Sequence, residues 1–283
     1  MDLSNENVIH IKKDGIDFLQ FRKLLEYKEI THAYTLGLDK NFRTAKANMV
    51  ELDKKEYDKA IDDYKNICRE IGTDYTKVVK ANQNHTDEVK AIDKKININK
   101  PDINLKEYKD TDGFITNKKG LVLSTTNADC ILLLFYDPVK KVIGNSHSGW
   151  KGTLKRISVK TVDKMQKEYG CNPKDIICCI APSIRKCHFE VEKDVKDMFE
   201  KEFYKEIENA KDKSEIIKET VKNKKWKIDT VELNKIILQN KGLDPKNIID
   251  SGICSVCNKN IIHSFRAEGN SYGLNTALIE IKE

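Results

Sequence analysis

The stretch ILLLFYDPVKKVIGNSHSGW, residues 131–150, contains two apolar runs joined by a short polar connection. Residues 131–136 are apolar without a break, which indicates a strand covered on both faces. The connection at residues 137–141 contains a proline and has the length of a hairpin turn. These features predict two antiparallel strands at the centre of a fold whose sheet is covered by other layers.

The same turn predicts which residues pair across the hairpin. If the turn is centred near residue 139, paired positions sum to about 278. Leu134 would then face Gly144, and Cys130 would lie opposite Ser148 or His147. Since paired or diagonal side chains have Cβ atoms about 5 to 8 Å apart, we expect Cys130 and His147 to share a metal ion or a proton. A shift of the register by one residue would turn the two side chains to opposite faces.

The remaining patterns predict an α/β fold of one domain over residues 1–283, with a mixed sheet and helices outside it. No repeat, low-complexity tract or long linker divides the chain. Apolar spacing predicts helices at 45–71 (stopped by Gly72), 154–169 (stopped by Gly170), 192–210 and 231–240. Apolar and β-branched runs predict strands within the first 40 residues and at 77–85, 120–125, 176–181, 225–229 and 263–269. The strand at 263–269 is one of three short strands predicted at the end of the chain.

Composition narrows the class of protein. Of the 283 residues, 34% are charged, and the formal net charge is +6. The lysines alternate with acidic residues, as they do on solvated helix surfaces. We therefore expect no nucleic-acid partner. No run of about 18 apolar residues occurs and the N-terminus has no signal-peptide pattern, so we expect a cytoplasmic protein without a membrane partner. The eight cysteines are then expected to stay reduced.

His85 completes a candidate metal site. It ends the predicted strand at 77–85, and functional groups often gather where strands end. Alone, each histidine is more often a satisfied polar residue, and a buried cysteine is more often a small apolar side chain. Together, His85, Cys130 and His147 supply two imidazoles and one thiolate, which would leave zinc an open fourth position.

Five motifs resemble those of a known family. QNH, NADC, SHSGWKG, APSIRKCHFEV and HSFRAEGNSYG, in this order, resemble the YfiH-type "laccase domain" proteins, also labelled multicopper polyphenol oxidoreductases. The resemblance implies a four-layer α/β/β/α sandwich, shared with the catalytic domain of cytotoxic necrotizing factor toxins. It implies zinc bound by His85, Cys130 and His147. It also implies phosphorolysis of purine nucleosides, methylthioadenosine included, often with adenosine deamination.

Four further residues are candidates for binding the nucleoside and phosphate. Arg43 and Arg266 are nominated for phosphate, because a guanidinium fork matches phosphate oxygens; a surface role is equally compatible with either arginine. Asp129 would orient a ligand or stabilise a charged intermediate, unless it only caps a strand end. Ser183 would touch substrate, unless it only caps a turn.

Three alternative functions remain open at this point. A copper laccase needs more histidines than the six present, so the oxidase label is poorly supported. A metal-free hydrolase would use Cys130 as nucleophile and His147 as base. A zinc-stabilised binding module would have a closed, four-coordinate metal. The CxxC pair Cys254 and Cys257 has no second CxxC, so we interpret it as a loop with two reduced thiols before the predicted strand at 263–269.

Overall fold

The computed structural model describes residues 1–37, 54–92, 108–210, 212–220 and 224–283. The strands in these ranges are β1 (Val8–Lys13), β2 (Ile16–Phe21), β3 (Ile30–Leu36), β4 (Val78–Lys80), β5 (Val89–Ala91), β6 (Gly113–Thr116), β7 (Val122–Asn127), β8 (Ile131–Asp137), β9 (Val142–Ser148), β10 (Ile177–Ile180), β11 (Glu190–Val191), β12 (Ile217–Glu219), β13 (Trp226–Ile228), β14 (Ile248–Asp250) and β15 (Asn275–Ile281). The helices are α1 (Arg22–Leu25), α2 (Lys54–Ile71), α3 (Trp150–Leu154), α4 (Ile157–Tyr169), α5 (Lys193–Glu202), α6 (Tyr204–Glu208), α7 (Lys213–Ile216), α8 (Thr230–Asn240) and α9 (Phe265–Glu268).

Two six-stranded sheets form the centre of the fold. The first has the order β1-β2-β3-β15-β7-β4 and the second the order β14-β10-β8-β9-β6-β5. Both are mixed, because β4 runs parallel to β7, β5 to β6 and β10 to β14, whereas the other neighbours are antiparallel. A third sheet of three short strands has the order β11-β13-β12.

The two large sheets pack face to face, and helices cover their outer faces. On β8, Leu132 and Leu134 belong to the apolar layer between the sheets, whereas Leu133 and Phe135 face outward towards α4. Successive residues of a strand point to opposite faces, so a strand covered on both sides must be apolar at every position. This explains the unbroken run at residues 131–136. Helix α2 covers the outer face of the first sheet, packing Tyr64 and other apolar residues on it. The expected α/β/β/α layering is therefore present.

The hairpin register differs by one residue from the predicted one. Leu132 pairs with His147, Leu134 with Asn145 and Phe135 with Gly144, so the predicted pair of Leu134 with Gly144 is wrong. The cause is the turn, which has four residues between the closing pair, Asp137 and Val142, and is centred half a residue later than predicted. Pairing about residue 139 would have placed Cys130 opposite Ser148, with His147 on the other face of the sheet. In the observed register His147 shares its face with Leu132, and Cys130 lies two residues before Leu132, so Cys130 and His147 lie on one face.

Other predicted elements are confirmed in part. The described part of the helix predicted at 45–71 begins at Lys54 and is followed by Gly72 at φ +72°, while residues 45–53 lie outside the described residues. The helix predicted at 192–210 is interrupted at the buried Phe203, and the strand predicted at 77–85 extends only over Val78–Lys80. Residues 263–269 contain the short helix α9 instead of a strand, because Ser264 caps the N–H of Ala267.

In the described ranges, no helix combines the length and apolar character required to span a bilayer. The division of residues 1–283 into a single domain stays a prediction.

Candidate metal centre and cavity

His85, Cys130 and His147 converge from three parts of the fold. His85 lies in the segment between β4 and β5, Cys130 directly precedes β8, and His147 is the penultimate residue of β9. Their potential ligand atoms all lie within 4.8 Å of one another. The Nε2 atom of His85 is 3.8 Å from the Sγ atom of Cys130, and the two imidazole rings meet edge to face. The structure thus brings together the three residues that the sequence nominated as a candidate metal site.

Asp112, which the sequence analysis missed, holds the ring of His147 and the backbone of His85. Its Oδ1 atom is 2.7 Å from Nδ1 of His147 and accepts a hydrogen bond from the backbone N–H of His85 at 3.1 Å. Its Oδ2 atom accepts a hydrogen bond from the N–H of Thr86 at 2.7 Å. Since Asp112 occupies Nδ1 of His147, Nε2 is the nitrogen that remains for a metal. The sequence feature that could have indicated Asp112 is its position, because it directly precedes the apolar residues of a strand in the polar stretch KDTDGF.

Gly149 leaves room for the side chains of His85 and Cys130 to approach each other. A Cβ atom at this position would lie 2.7 Å from Cδ2 of His85 and 3.0 Å from Sγ of Cys130. Both distances are shorter than an ordinary van der Waals contact between heavy atoms. The glycine that follows β9 is therefore a steric requirement of this arrangement.

The charges of Cys130 and His147 stabilise each other. Burial disfavours the Cys130 thiolate, but the positive charge of His147 and hydrogen bonds from both histidines outweigh burial and lower the pKa of Cys130 to about 6. Burial also disfavours the His147 imidazolium, yet the Cys130 thiolate and the hydrogen bond to Asp112 raise the pKa of His147 to about 9. Without a metal, the two groups form a thiolate–imidazolium pair at neutral pH. A thiolate is the form of cysteine that binds metals and acts as a nucleophile.

The three residues line a cavity of about 500 Å³. This volume is in the range of small-molecule sites. Phe265 and Tyr272 line the same cavity and contact each other edge to face, with their ring centroids 5.2 Å apart. The two residues are 52% and 38% exposed, so the pair presents an apolar surface to the cavity. Sequence reasoning overlooked this aromatic pair, although both residues lie in or beside the HSFRAEGNSYG motif.

Arg266 and Asp129 also line the cavity, and they are linked. The backbone N–H of Arg266 donates to Oδ2 of Asp129 at 2.7 Å, and the Ser255 hydroxyl donates to Oδ1 at 2.6 Å. The exposed guanidinium of Arg266 donates to the carbonyl oxygens of His188 at 2.7 Å and Glu190 at 3.2 Å. These acceptors are uncharged, so the positive charge of Arg266 is not neutralised by them.

The nominated residue Ser183 does not join this arrangement. Ser183 is fully buried, lies outside the cavity lining, and its hydroxyl has no hydrogen-bond partner among the described residues. Its proposed contact with substrate gains no support from this position. Arg43 lies outside the described residues, so its nomination stays a prediction.

Comparison with known proteins places this fold and cavity in a family. A family model described as "Multi-copper polyphenol oxidoreductase laccase" matches residues 41–282, and the chain belongs to that family. The chain is similar in structure to the hypothetical protein YfiH from Bacillus licheniformis, with a TM-score of 0.78, 24% identity, and coverage of 98% of this chain and 100% of the other. The family and the fold expected from the five motifs are thereby confirmed.

Two curated relatives carry names of enzymes. The chain is 32% identical over 234 residues to the protein named Purine nucleoside phosphorylase YlmD from Bacillus subtilis, a match that covers 80% of each chain. It is 28% identical over 207 residues to the protein named Adenosine deaminase RL5 from an unknown prokaryotic organism, covering 73% of this chain and 76% of the relative. The family thus includes proteins named for chemistry on purine nucleosides.

Proposed function

We propose that this protein is a zinc-dependent purine nucleoside phosphorylase that also deaminates adenosine and cleaves methylthioadenosine. The observation that carries the proposal is the convergence of two imidazoles and one thiolate in a cavity that also contains an aromatic pair and an arginine. The names of the relatives from Bacillus subtilis and the unknown prokaryote support the substrate class.

The donor set of the trio fits zinc. In a tetrahedral site with usual bond lengths, a zinc-bound nitrogen and sulfur lie about 3.6 Å apart. The corresponding separation between His85 Nε2 and Cys130 Sγ is 3.8 Å. Three protein ligands leave one position open, as in catalytic zinc sites. When bound, zinc would supply a Lewis acid next to the substrate.

The aromatic pair and Arg266 suit the two substrates of a phosphorolysis. Phe265 and Tyr272 offer partly exposed rings against which a purine base can pack. The guanidinium of Arg266 is held in place by backbone carbonyls and keeps its charge for an anion. Since a guanidinium binds phosphate oxygens through paired N–H groups, we assign the phosphate to this side of the cavity.

Asp129 provides a negative charge for the reacting sugar. In phosphorolysis, a phosphate oxygen forms a bond to C1′ of the ribose while the bond from C1′ to the base nitrogen breaks, and the base leaves with that electron pair and takes up a proton. The ribose gains oxocarbenium character on the way, which nearby carboxylates stabilise. The carboxylate of Asp129 is fixed by Ser255 and the backbone of Arg266, so it need not reorganise during the reaction.

The test is nucleoside turnover by the zinc-loaded full chain. We expect phosphate-dependent release of free base from adenosine, inosine and methylthioadenosine, measured by chromatography, and formation of inosine from adenosine without phosphate. His147→Ala should abolish both reactions, whereas the matched control His10→Ala, on β1 and outside the cavity lining, should retain them. Zinc-loaded protein that consumes no nucleoside would contradict the proposal.

A Cys–His hydrolase is the second candidate, because the thiolate–imidazolium pair of Cys130 and His147 is also the arrangement of a cysteine nucleophile. Zinc separates the two candidates. The phosphorylase loses activity when zinc is removed, whereas a hydrolase using Cys130 gains activity and is alkylated at this thiol.

Oxidation of phenols, which the family description names, is not supported by the histidines. The metal centre that lines the cavity contains two histidines, His85 and His147, and a multicopper cluster needs more. We expect negligible phenol oxidation in metal-defined protein; turnover that scales with bound copper would overturn this expectation.

A further inference from the structure

A second group of metal-binding side chains lies outside the trio. It consists of Cys187, His188, Cys254 and Cys257, which we call the Cys₃His cluster. Cys187 and His188 lie just before β11, and the CxxC pair lies in the segment after β14. The sequence analysis looked for a second CxxC to complete a zinc site and found none. The structure completes it instead with an adjacent cysteine and histidine from a distant part of the chain.

The separations within the Cys₃His cluster match a tetrahedron around one metal ion. With the usual bond lengths of zinc, two ligand sulfurs lie about 3.8 Å apart, and a sulfur and a nitrogen about 3.6 Å apart. The Sγ atom of Cys187 is 3.6 Å from that of Cys254 and 3.9 Å from that of Cys257. The Nδ1 atom of His188 is 3.1 Å from the sulfur of Cys187 and 3.6 Å from those of Cys254 and Cys257.

We propose that the Cys₃His cluster is a second zinc site, closed by four protein ligands and therefore structural. Three sulfurs and one imidazole nitrogen form a ligand set typical of structural zinc. Soft thiolates also disfavour magnesium and calcium, which prefer oxygen. This proposal is independent of the reaction assigned to the cavity.

Backbone hydrogen bonds connect the two segments that carry the ligands. The N–H of Ser255 donates to the carbonyl of Ser183 at 3.0 Å, and the N–H of Ser183 donates to the carbonyl of Ile253 at 3.3 Å. The ligands are thus held in place by the chain, which reduces the ordering required when the metal binds.

The second zinc would stabilise one wall of the cavity. The carbonyl of His188 accepts a hydrogen bond from the guanidinium of Arg266, and Phe189 lines the cavity directly. On the other segment, Ser255 donates to the carboxylate of Asp129. Joining the two segments through a metal therefore fixes residues on which the shape of the cavity depends.

The competing possibility is a disulfide, since Cys187 and Cys257 are exposed and close to each other. Zinc content distinguishes the two. The full chain, purified under reducing conditions and loaded with zinc alone, should contain two zinc ions per chain by elemental analysis. Cys257→Ser and His188→Ala should each lower this to about one, and Cys130→Ala should lower it to one by emptying the other centre.

Cobalt absorption provides a second measurement, and its wild-type spectrum does not depend on any variant's stability. Cobalt-loaded wild-type protein should show thiolate-to-cobalt charge-transfer absorption from two centres, the stronger from the three-thiolate cluster. Cys130→Ala should keep most of this absorption, whereas Cys257→Ser should lose a larger share. One metal per chain in the reduced, metal-loaded wild type would overturn the proposal, and a disulfide at Cys187 in protein purified without reductant would then identify the alternative.

Discussion

At the scale of single residues, Gly149 is the position where the smallest change has the largest predicted effect on the trio. Its missing side chain leaves the space that His85 and Cys130 occupy. Because a Cβ atom would lie 2.7 Å from the His85 ring, Gly149→Ala must displace a ligand. We expect the affinity for zinc to fall by at least about tenfold, as for other disturbances of ligand orientation. Competition with a chelator of known affinity measures this change.

Gly152 is the matched control for Gly149. It lies three residues later, and a Cβ atom there would be 3.4 Å from its nearest neighbours, an ordinary contact. Gly152→Ala should therefore leave zinc affinity unchanged. Equal affinities in the two variants would show that Gly149 does not restrict the metal centre.

Much of the candidate site was predictable at the residue scale, and the reason for the rest is physical. The short turn predicted that Cys130 and His147 lie near each other along the hairpin, but only the observed register, one residue from the predicted one, puts their side chains on one face. Asp112 was missed because its contact with His147 joins positions 35 residues apart, and no local pattern encodes it. Ser183 was nominated from its place after a strand, but its burial depends on the packing of the segment around it.

At the scale of elements, the turn between β8 and β9 determines the register of the whole hairpin. The Oδ1 atom of Asp137 accepts hydrogen bonds from the N–H groups of Val139 at 2.8 Å and Lys140 at 2.9 Å. This is the way in which aspartate side chains stabilise turns. Asp137→Ala removes the oxygen that accepts both hydrogen bonds, so we expect a loss of about 1–2 kcal/mol in the free energy of unfolding.

Denaturant titration measures the effect of Asp137→Ala. Val139→Ala is its control, because this side chain is 64% exposed and should change stability by less than about 0.5 kcal/mol. Zinc content should stay normal in both variants, since the remaining strand pairs still hold the register. A loss of zinc without a loss of stability would mean that the turn acts on the metal centre directly.

The elements also show where sequence patterns stop being sufficient. Strands β8 and β10 were predicted because burial on both faces imposes unbroken apolar runs. Helix α9 was mistaken for a strand because four residues are too few to show helical periodicity. The role of the CxxC pair was left open because its partners, Cys187 and His188, are provided by tertiary structure.

At the scale of the whole molecule, stability in acid depends on groups that the fold buries in their neutral form. His32, on β3, is fully buried, and its Nε2 atom accepts a hydrogen bond from the N–H of Phe21 at 2.7 Å. That nitrogen carries no proton in the folded protein. Burial lowers the pKa of His32 from 6.5 to about 3.

The sign of the effect follows from this lowered pKa. Between pH 6.5 and about pH 3, the unfolded chain protonates His32 and the folded protein does not. Stability is therefore fully present above pH 6.5 and declines as the pH falls through this window. From pH 6.5 to about pH 5, this single group should account for a loss of about 2 kcal/mol in the free energy of unfolding.

The variant His32→Gln tests this prediction. Between pH 6.5 and pH 5, its free energy of unfolding should fall by about 2 kcal/mol less than that of the wild type, whatever the stability of the variant at neutral pH. Denaturant titrations of both proteins at several pH values give the slope of unfolding free energy against pH. Carboxylates contribute equally to both slopes. Identical slopes would therefore show that His32 is not the buried group responsible.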